Sequence, residues 1–221
     1  MNKKNSLLIK RMVGIAVLLA LVVVLQLFSG NIKFGEISIT LALVPIAMGA
    51  ILYGPVAGLG LGAVMGLIIF FDPGTQKVFW PVNIPATLVI CVLKSGLAGL
   101  ASGFIFKLFA FIANKTEKKM LFYIIGIVVA ALIVPVVNTA LFAVGAAIFF
   151  QDVFGGGLGV IITAVITTNF LVEILVSAAL SPALVTLVKV LSSRYNLGFT
   201  NDFSVFNTLL PKELETEEVA E

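Results

Sequence analysis

Two ionisable side chains lie deep within the longest apolar runs of this 221-residue chain, away from the lysines near their ends: Lys94, within 81–111, and Glu173, within 159–190. A charge inside a membrane-length apolar run costs about 2.5–3.5 kcal/mol on insertion scales, so its presence asks for a partner or a task. Lys94 lies thirteen residues after Pro81 and Glu173 fourteen after Gly159. At a helical rise of about 1.5 Å per residue, both sit roughly 20 Å below the same end of a bundle. Two readings follow. The pair neutralise each other as a buried ion pair, or one of them faces a ligand, with Lys94 as the counter-charge of a carboxylate. Uncharged polar groups gather around them. Asn83 and Thr87 precede Lys94, Asn138 and Thr139 lie at comparable depth beside Pro135, and Thr163, Thr167, Thr168 and Asn169 precede Glu173. Asn169 and Glu173 share a helix face at i, i+4. Trp80 and Phe79 stand at the rim and Phe142 one turn beyond Asn138, so the pattern predicts a pocket that binds a small polar molecule, roofed by loops at 30–37, 72–80 and 151–158.

The chemistry that is missing narrows the classes. There is no histidine and one cysteine, Cys91, which leaves no His-based acid–base group, no disulfide within the chain and no His/Cys metal site. No GxxxxGK[ST] occurs: Lys94-Ser95 follows Leu93, and Lys115-Thr116 follows Asn114. The chain is therefore not an ATPase in its own right. No catalytic set, cofactor or nucleic-acid surface is expected, and no acidic relay crosses the apolar runs as ion-coupled transport would require.

The elements that position these residues are transmembrane helices. Hydrophobic residues make up 60% of the chain and charged ones 11%, against about 25% charged in soluble domains. Apolar runs near 10–29, 38–53, 56–71, 81–111, 120–150 and 159–190 predict six spans. Gly54-Pro55 divides the second from the third, because Pro55 lacks the N–H that a continuing helix needs. Lys3, Lys4, Lys10 and Arg11, then Lys115, Lys118 and Lys119, then Lys189 and Arg194, fall on one side of a six-span bundle. Cytoplasmic loops collect such residues, so both termini are expected in the cytoplasm. The expected layout is a cytoplasmic segment 1–9, an all-α membrane domain 10–193 and a polar cytoplasmic tail 194–221. Small residues recur every four positions, at Ala16/Ala20, Gly58/Gly62/Gly66 and Gly99/Gly103, where helix backbones can approach closely.

These residues together resemble a known family. A first helix with Ala16 and Ala20 precedes Ile39-Thr40-Leu41-Ala42-Leu43-Val44-Pro45-Ile46 with Gly49, and then the hairpin Leu52-Tyr53-Gly54-Pro55-Val56-Ala57-Gly58. Asn138 follows in the fifth span. The sixth carries Asn169-Phe170-Leu171-Val172-Glu173 and Leu180-Ser181-Pro182-Ala183-Leu184. Over about residues 8–193 the chain is similar to the S components of energy-coupling factor (ECF) transporters, and closest to the pantothenate-type and uncharacterised members. The resemblance implies a six-helix bundle in the prokaryotic plasma membrane that captures a water-soluble vitamin from outside, in a pocket of the last three helices and the outer loops. It also implies docking through the Ala16/Ala20 face onto a transmembrane coupling subunit driven by two cytosolic ATPases. The implied substrate-binding residues are Trp80, Asn83, Thr87, Lys94, Asn138, Phe142, Asn169 and Glu173. A riboflavin-type lysine-asparagine pair is absent after the hairpin, where Ala63-Val64-Met65-Gly66 stands. Pantothenate is thus the favoured vitamin. Riboflavin or another neutral vitamin is the alternative, and a structural or regulatory subunit without a ligand is the reading from a different class.

Overall fold

A computed structural model describes residues 3–29, 33–34, 37–38, 40–154 and 170–195. Apart from a two-residue antiparallel ladder that pairs Lys33 with Ser38 and Phe34 with Ile37, its regular elements are helical. In chain order these are α1 (Lys3–Ser29), α2 (Leu43–Tyr53), α3 (Pro55–Phe70), α4 (Pro73–Phe79), α5 (Ile84–Asn114), α6 (Lys119–Phe149), a 3-10 turn (Gln151–Phe154) and α7 (Leu171–Tyr195). Four stretches are long and apolar enough to cross a membrane: Leu8–Ser29 of α1, α5, α6 and Leu171–Val190 of α7. The pair α3 and α4, bent by 68°, makes a fifth if taken as one span, and α2 is shorter. The protein is an all-helical membrane protein.

Local chemistry places the breaks. Gly54 ends α2 at φ 97°, a conformation that costs a Cβ-bearing residue steric strain, and Pro55 opens α3 where its missing N–H is harmless. Asp72 caps α4 by accepting from the amides of Gly74 and Thr75, which turns part of the expected 72–80 loop into a helix. Asn83 caps α5 by accepting from Ala86 at 3.0 Å. The helix α6 runs on through Pro135.

The bundle is held by two kinds of contact. Along α3 and α5 the backbones touch. A Cβ on Gly58 would strike the carbonyl of Gly99, one on Gly62 that of Ser95, and one on Gly66 that of Cys91. The four-residue glycine period is thus internal packing, and it presses α3 flush against the stretch of α5 that carries Lys94 and Ser95. Elsewhere a continuous apolar core joins Leu18 and Val22 of α1, Ile46 and Leu52 of α2, Phe106 of α5, Tyr123 and Ile127 of α6 and Val188 of α7. The opposite face of α1, with Met12, Ala16, Val17 and Ala20, is exposed.

Contacts also order the two ends. Arg11 Nη2 donates to the carbonyl of Tyr53 at 3.4 Å, Gly103 abuts Pro55, and the Tyr123 hydroxyl meets the Asn114 side chain at 3.3 Å. The start of α1, the Gly54-Pro55 hairpin and the α5–α6 connection therefore share one end, with Lys10, Lys115, Lys118 and Lys119. The other end holds α4, with Lys77, Asp72 and Asp152.

The seam predicts two opposite outcomes for neighbouring glycines. Gly62→Val drives a branched side chain into the α5 backbone and should destabilise the protein by about 1–3 kcal/mol. Gly60→Ala meets nothing within 4 Å and should be neutral or stabilising by up to about 1 kcal/mol. Thermal unfolding of both variants in one detergent checks the contrast, and equal melting would refute the close α3–α5 approach.

Candidate functional site

Polar groups of α5, α6 and α7 meet at one level of the bundle. Glu173 of α7 is 3% exposed, and Thr139 of α6 donates its hydroxyl to Glu173 Oε2 at 3.4 Å. The side chains of Thr40, just ahead of α2, and of Asn138 also lie beside the carboxyl. Asn138 is itself buried, and its Oδ1 accepts from Ser95 Oγ of α5 at 3.4 Å. A carboxylate has about four acceptor positions on its two oxygens. The lead-in to α2 and α6 bring neutral polar groups to them.

Lys94 has a different partner. Its Nζ lies 5.0 Å from the centroid of the Phe142 ring, one turn beyond Asn138 toward the α4 end. Its charge acts on Glu173 at a distance, and the two form no contact ion pair among the described residues. An ammonium on an aromatic face gains about 0.5–2 kcal/mol, much less than it loses by leaving water, so this cation still has capacity for an anion. Above it an aromatic cluster closes the α4 end. Phe79 meets Phe142 at 6.0 Å and Phe150 at 4.9 Å, both edge-on, with Ala86 and Ile90 packed beneath. Trp80 stacks on Phe70 at 5.1 Å, and its buried Nε1 has no acceptor among the described residues.

Residues 10–185 match the family described as "ECF transporter, substrate-specific component". The chain belongs to that family. A relative from Lactococcus lactis subsp. cremoris (strain MG1363), named "Pantothenic acid transporter PanT", is 27% identical over 187 residues, which cover 77% of this chain and 89% of the relative. No solved structure matches. The chain is therefore a multi-pass membrane component of a transporter and not an enzyme.

Of the residues expected to line the pocket of this S component, Lys94, Asn138, Phe142 and Glu173 form one cluster. Asn83 and Thr87 make local bonds on α5: Asn83 caps the helix, and the buried Thr87 hydroxyl donates to the Asn83 carbonyl at 2.7 Å. Trp80 stands at the α4 end, and Asn169 lies outside the described residues. Ala16 and Ala20 face outward on α1. Two members of the cluster were not singled out by sequence. Ser95 had only its place beside Lys94 to mark it, and Thr40 lies far from Glu173 in the chain.

The geometry separates the two charges energetically. Lys94→Met should shift ligand-free stability by less than about 1 kcal/mol, because no contact pair is broken. A contact ion pair would instead lose about 3–5 kcal/mol. Glu173→Leu strands the polar groups of Thr40, Thr139 and Asn138 and should cost about 1–3 kcal/mol. Ligand-free unfolding of both variants reads the order, and a Lys94→Met loss as large as that of Glu173→Leu would restore the ion-pair reading.

Proposed function

We propose that this S component captures pantothenate, with Lys94 as the counter-charge of its carboxylate. The observation that carries the reading is the Lys94 ammonium, held inside an apolar bundle against Phe142 without a contacting carboxylate. Pantothenate carries a carboxylate at one end, an amide in the middle and two hydroxyls at the other. Lys94 answers the first, Asn138 complements the amide, and Glu173 accepts from a hydroxyl. Phe79, Phe142 and Trp80 cover the apolar carbons. The printed name of the lactococcal relative supports the same vitamin. A neutral ring vitamin such as riboflavin leaves Lys94 without a task.

The chain then works as the capturing subunit of an ATP-driven importer, with a coupling membrane subunit and two cytosolic ATPases as partners. The exposed Ala16/Ala20 face of α1 suits close approach of a partner helix. Six spans with both termini in the cytoplasm put the basic end of the bundle inside and the α4 end outside, as the lysine distribution favours.

Calorimetry on the purified protein tests the substrate. Lys94→Met should weaken pantothenate binding at least about 30-fold, the loss of a desolvated charge-assisted contact of roughly 2–5 kcal/mol. Asn138→Ala should weaken it less, by about 1 kcal/mol for one neutral hydrogen bond. The wild type should prefer pantothenate over its neutral alcohol analogue, and Lys94→Met should erase that preference. Unchanged affinity in Lys94→Met would reject the carboxylate contact. For orientation, after replacement of Cys91, a cysteine at Thr75 should react with an impermeant thiol reagent in intact cells and one at Glu117 should not; the reverse order would invert the protein. For docking, Ala16→Trp should abolish assembly with the coupling subunit and leave pantothenate affinity intact. Retained assembly would move the interface elsewhere.

A further inference from the structure

Two fully buried serines of α5, Ser95 beside Lys94 and Ser102 two turns below it, both reach across to α6. Their hydroxyls go to different kinds of acceptor. Ser102 donates to the backbone carbonyl of Ala130 at 2.7 Å, whereas Ser95 donates to a side chain, Asn138 Oδ1, at 3.4 Å. The two acceptors are about two turns apart along α6, as the two donors are along α5, so both bonds hold one register between the helices. Gly145 of α6, packed against Ile90 of α5, continues that register toward the α4 end. The backbone of Ser95 is fixed from a further side, since its carbonyl is the atom that a Cβ on Gly62 of α3 would strike. A hydroxyl on a backbone located this firmly can locate what it bonds.

The terminal torsion of an asparagine is roughly two-fold, and its two settings exchange the acceptor oxygen with the donor nitrogen. A pocket that recognises an amide through Asn138 needs one of those settings held. We propose that Ser95 is a positioning residue of the substrate cluster, its hydroxyl holding the Asn138 amide in one setting so that the substrate meets a single arrangement of donor and acceptor. The inference rests on the reading of the Lys94–Asn138–Glu173 cluster as the pantothenate site. Ser95 acts through Asn138 and not on the substrate. Without its hydroxyl the Asn138 amide samples both settings, and one of them sets like groups against the substrate amide. Ser102 is the comparison that the fold itself supplies: the same hydroxyl joins the same two helices, but its acceptor is a backbone carbonyl that cannot turn.

The variants are Ser95→Ala, Ser102→Ala, Asn138→Ala and the double change Ser95→Ala/Asn138→Ala. Two measurements are made on the purified protein. Side-chain amide NMR of ligand-free protein labelled with 15N-asparagine reads the setting of Asn138, whose signal is the one lost in Asn138→Ala. Calorimetry reads pantothenate affinity. Ser95→Ala should move or broaden the Asn138 signal, and Ser102→Ala should leave it in place. Ser95→Ala and Asn138→Ala should each weaken pantothenate about 5-fold. The double variant should again lose only about 5-fold, where independent sites would multiply to about 25-fold. Ser102→Ala should bind within about twofold of wild type. If Ser95→Ala does not fold, Ser95→Cys, with a weaker donor, takes its place in the same cycle. An Asn138 signal unchanged in the Ser95 variant would overturn the positioning role whatever the protein binds. A shifted signal with unchanged affinity, or losses that multiply, would overturn the effect on the substrate. A wild type whose Asn138 signal responds to Ser95→Ala but which does not bind pantothenate would instead reject the substrate reading, and with it the role in recognition.

Discussion

A carboxyl group that is 3% exposed inside an apolar bundle constrains the arrangement around it. Removing a carboxylate from water costs several kcal/mol even after relaxation, and lipid offers nothing in return. Glu173 is accommodated because neutral polar groups meet it from two segments, Thr139 and Asn138 of α6 and Thr40 before α2, with Asn138 held in turn by Ser95 of α5. Each of them fixes the depth of its own segment relative to α7. The glycine seam then follows as a requirement, because α5 presents Ser95 to Asn138 on one side and its bare backbone to Gly62 of α3 on the other. Polar satisfaction and close backbone packing are two parts of the same arrangement.

The buried carboxyl also explains why the nearby cation is left over. Glu173 meets neutral polar groups and makes no contact pair with Lys94 among the described residues, and the ammonium rests on Phe142, nearer the α4 end. A binding site for an anion needs this kind of preparation: a positive charge held in place, partly desolvated, and not already neutralised by the protein. The acidic group behind it supplies acceptors for substrate hydroxyls and discourages a second anionic group from lying deeper. Discrimination then comes from where charges sit along the pocket as much as from its shape.

Much of this was legible in sequence where the signal is local. Gly54-Pro55 marked the break between α2 and α3, because one residue tolerates positive φ and the next has no N–H. The glycine period marked a helix seam, and the bias of polar residues toward the later helices marked the side that carries the cluster. Nonlocal pairings were not legible. Thr40 stands among apolar neighbours and lies far from Glu173 in the chain, so nothing local points from one to the other. The local bonds of Asn83 and Thr87 were not legible either, because a side chain that bonds its own helix backbone has the same composition as one that bonds a ligand. The 72–80 stretch looked like a loop until the Asp72 cap made a helix of it.

The most direct measurement is the identity of the small molecule that the protein carries out of the cell. Purification in mild detergent from cells grown in rich medium, followed by denaturation and mass spectrometry of the released fraction, should find pantothenate in about equimolar amount. Riboflavin or another vitamin without a carboxylate in its place would contradict the role given to Lys94. A preparation that binds nothing, even with added vitamin, would contradict the existence of the site.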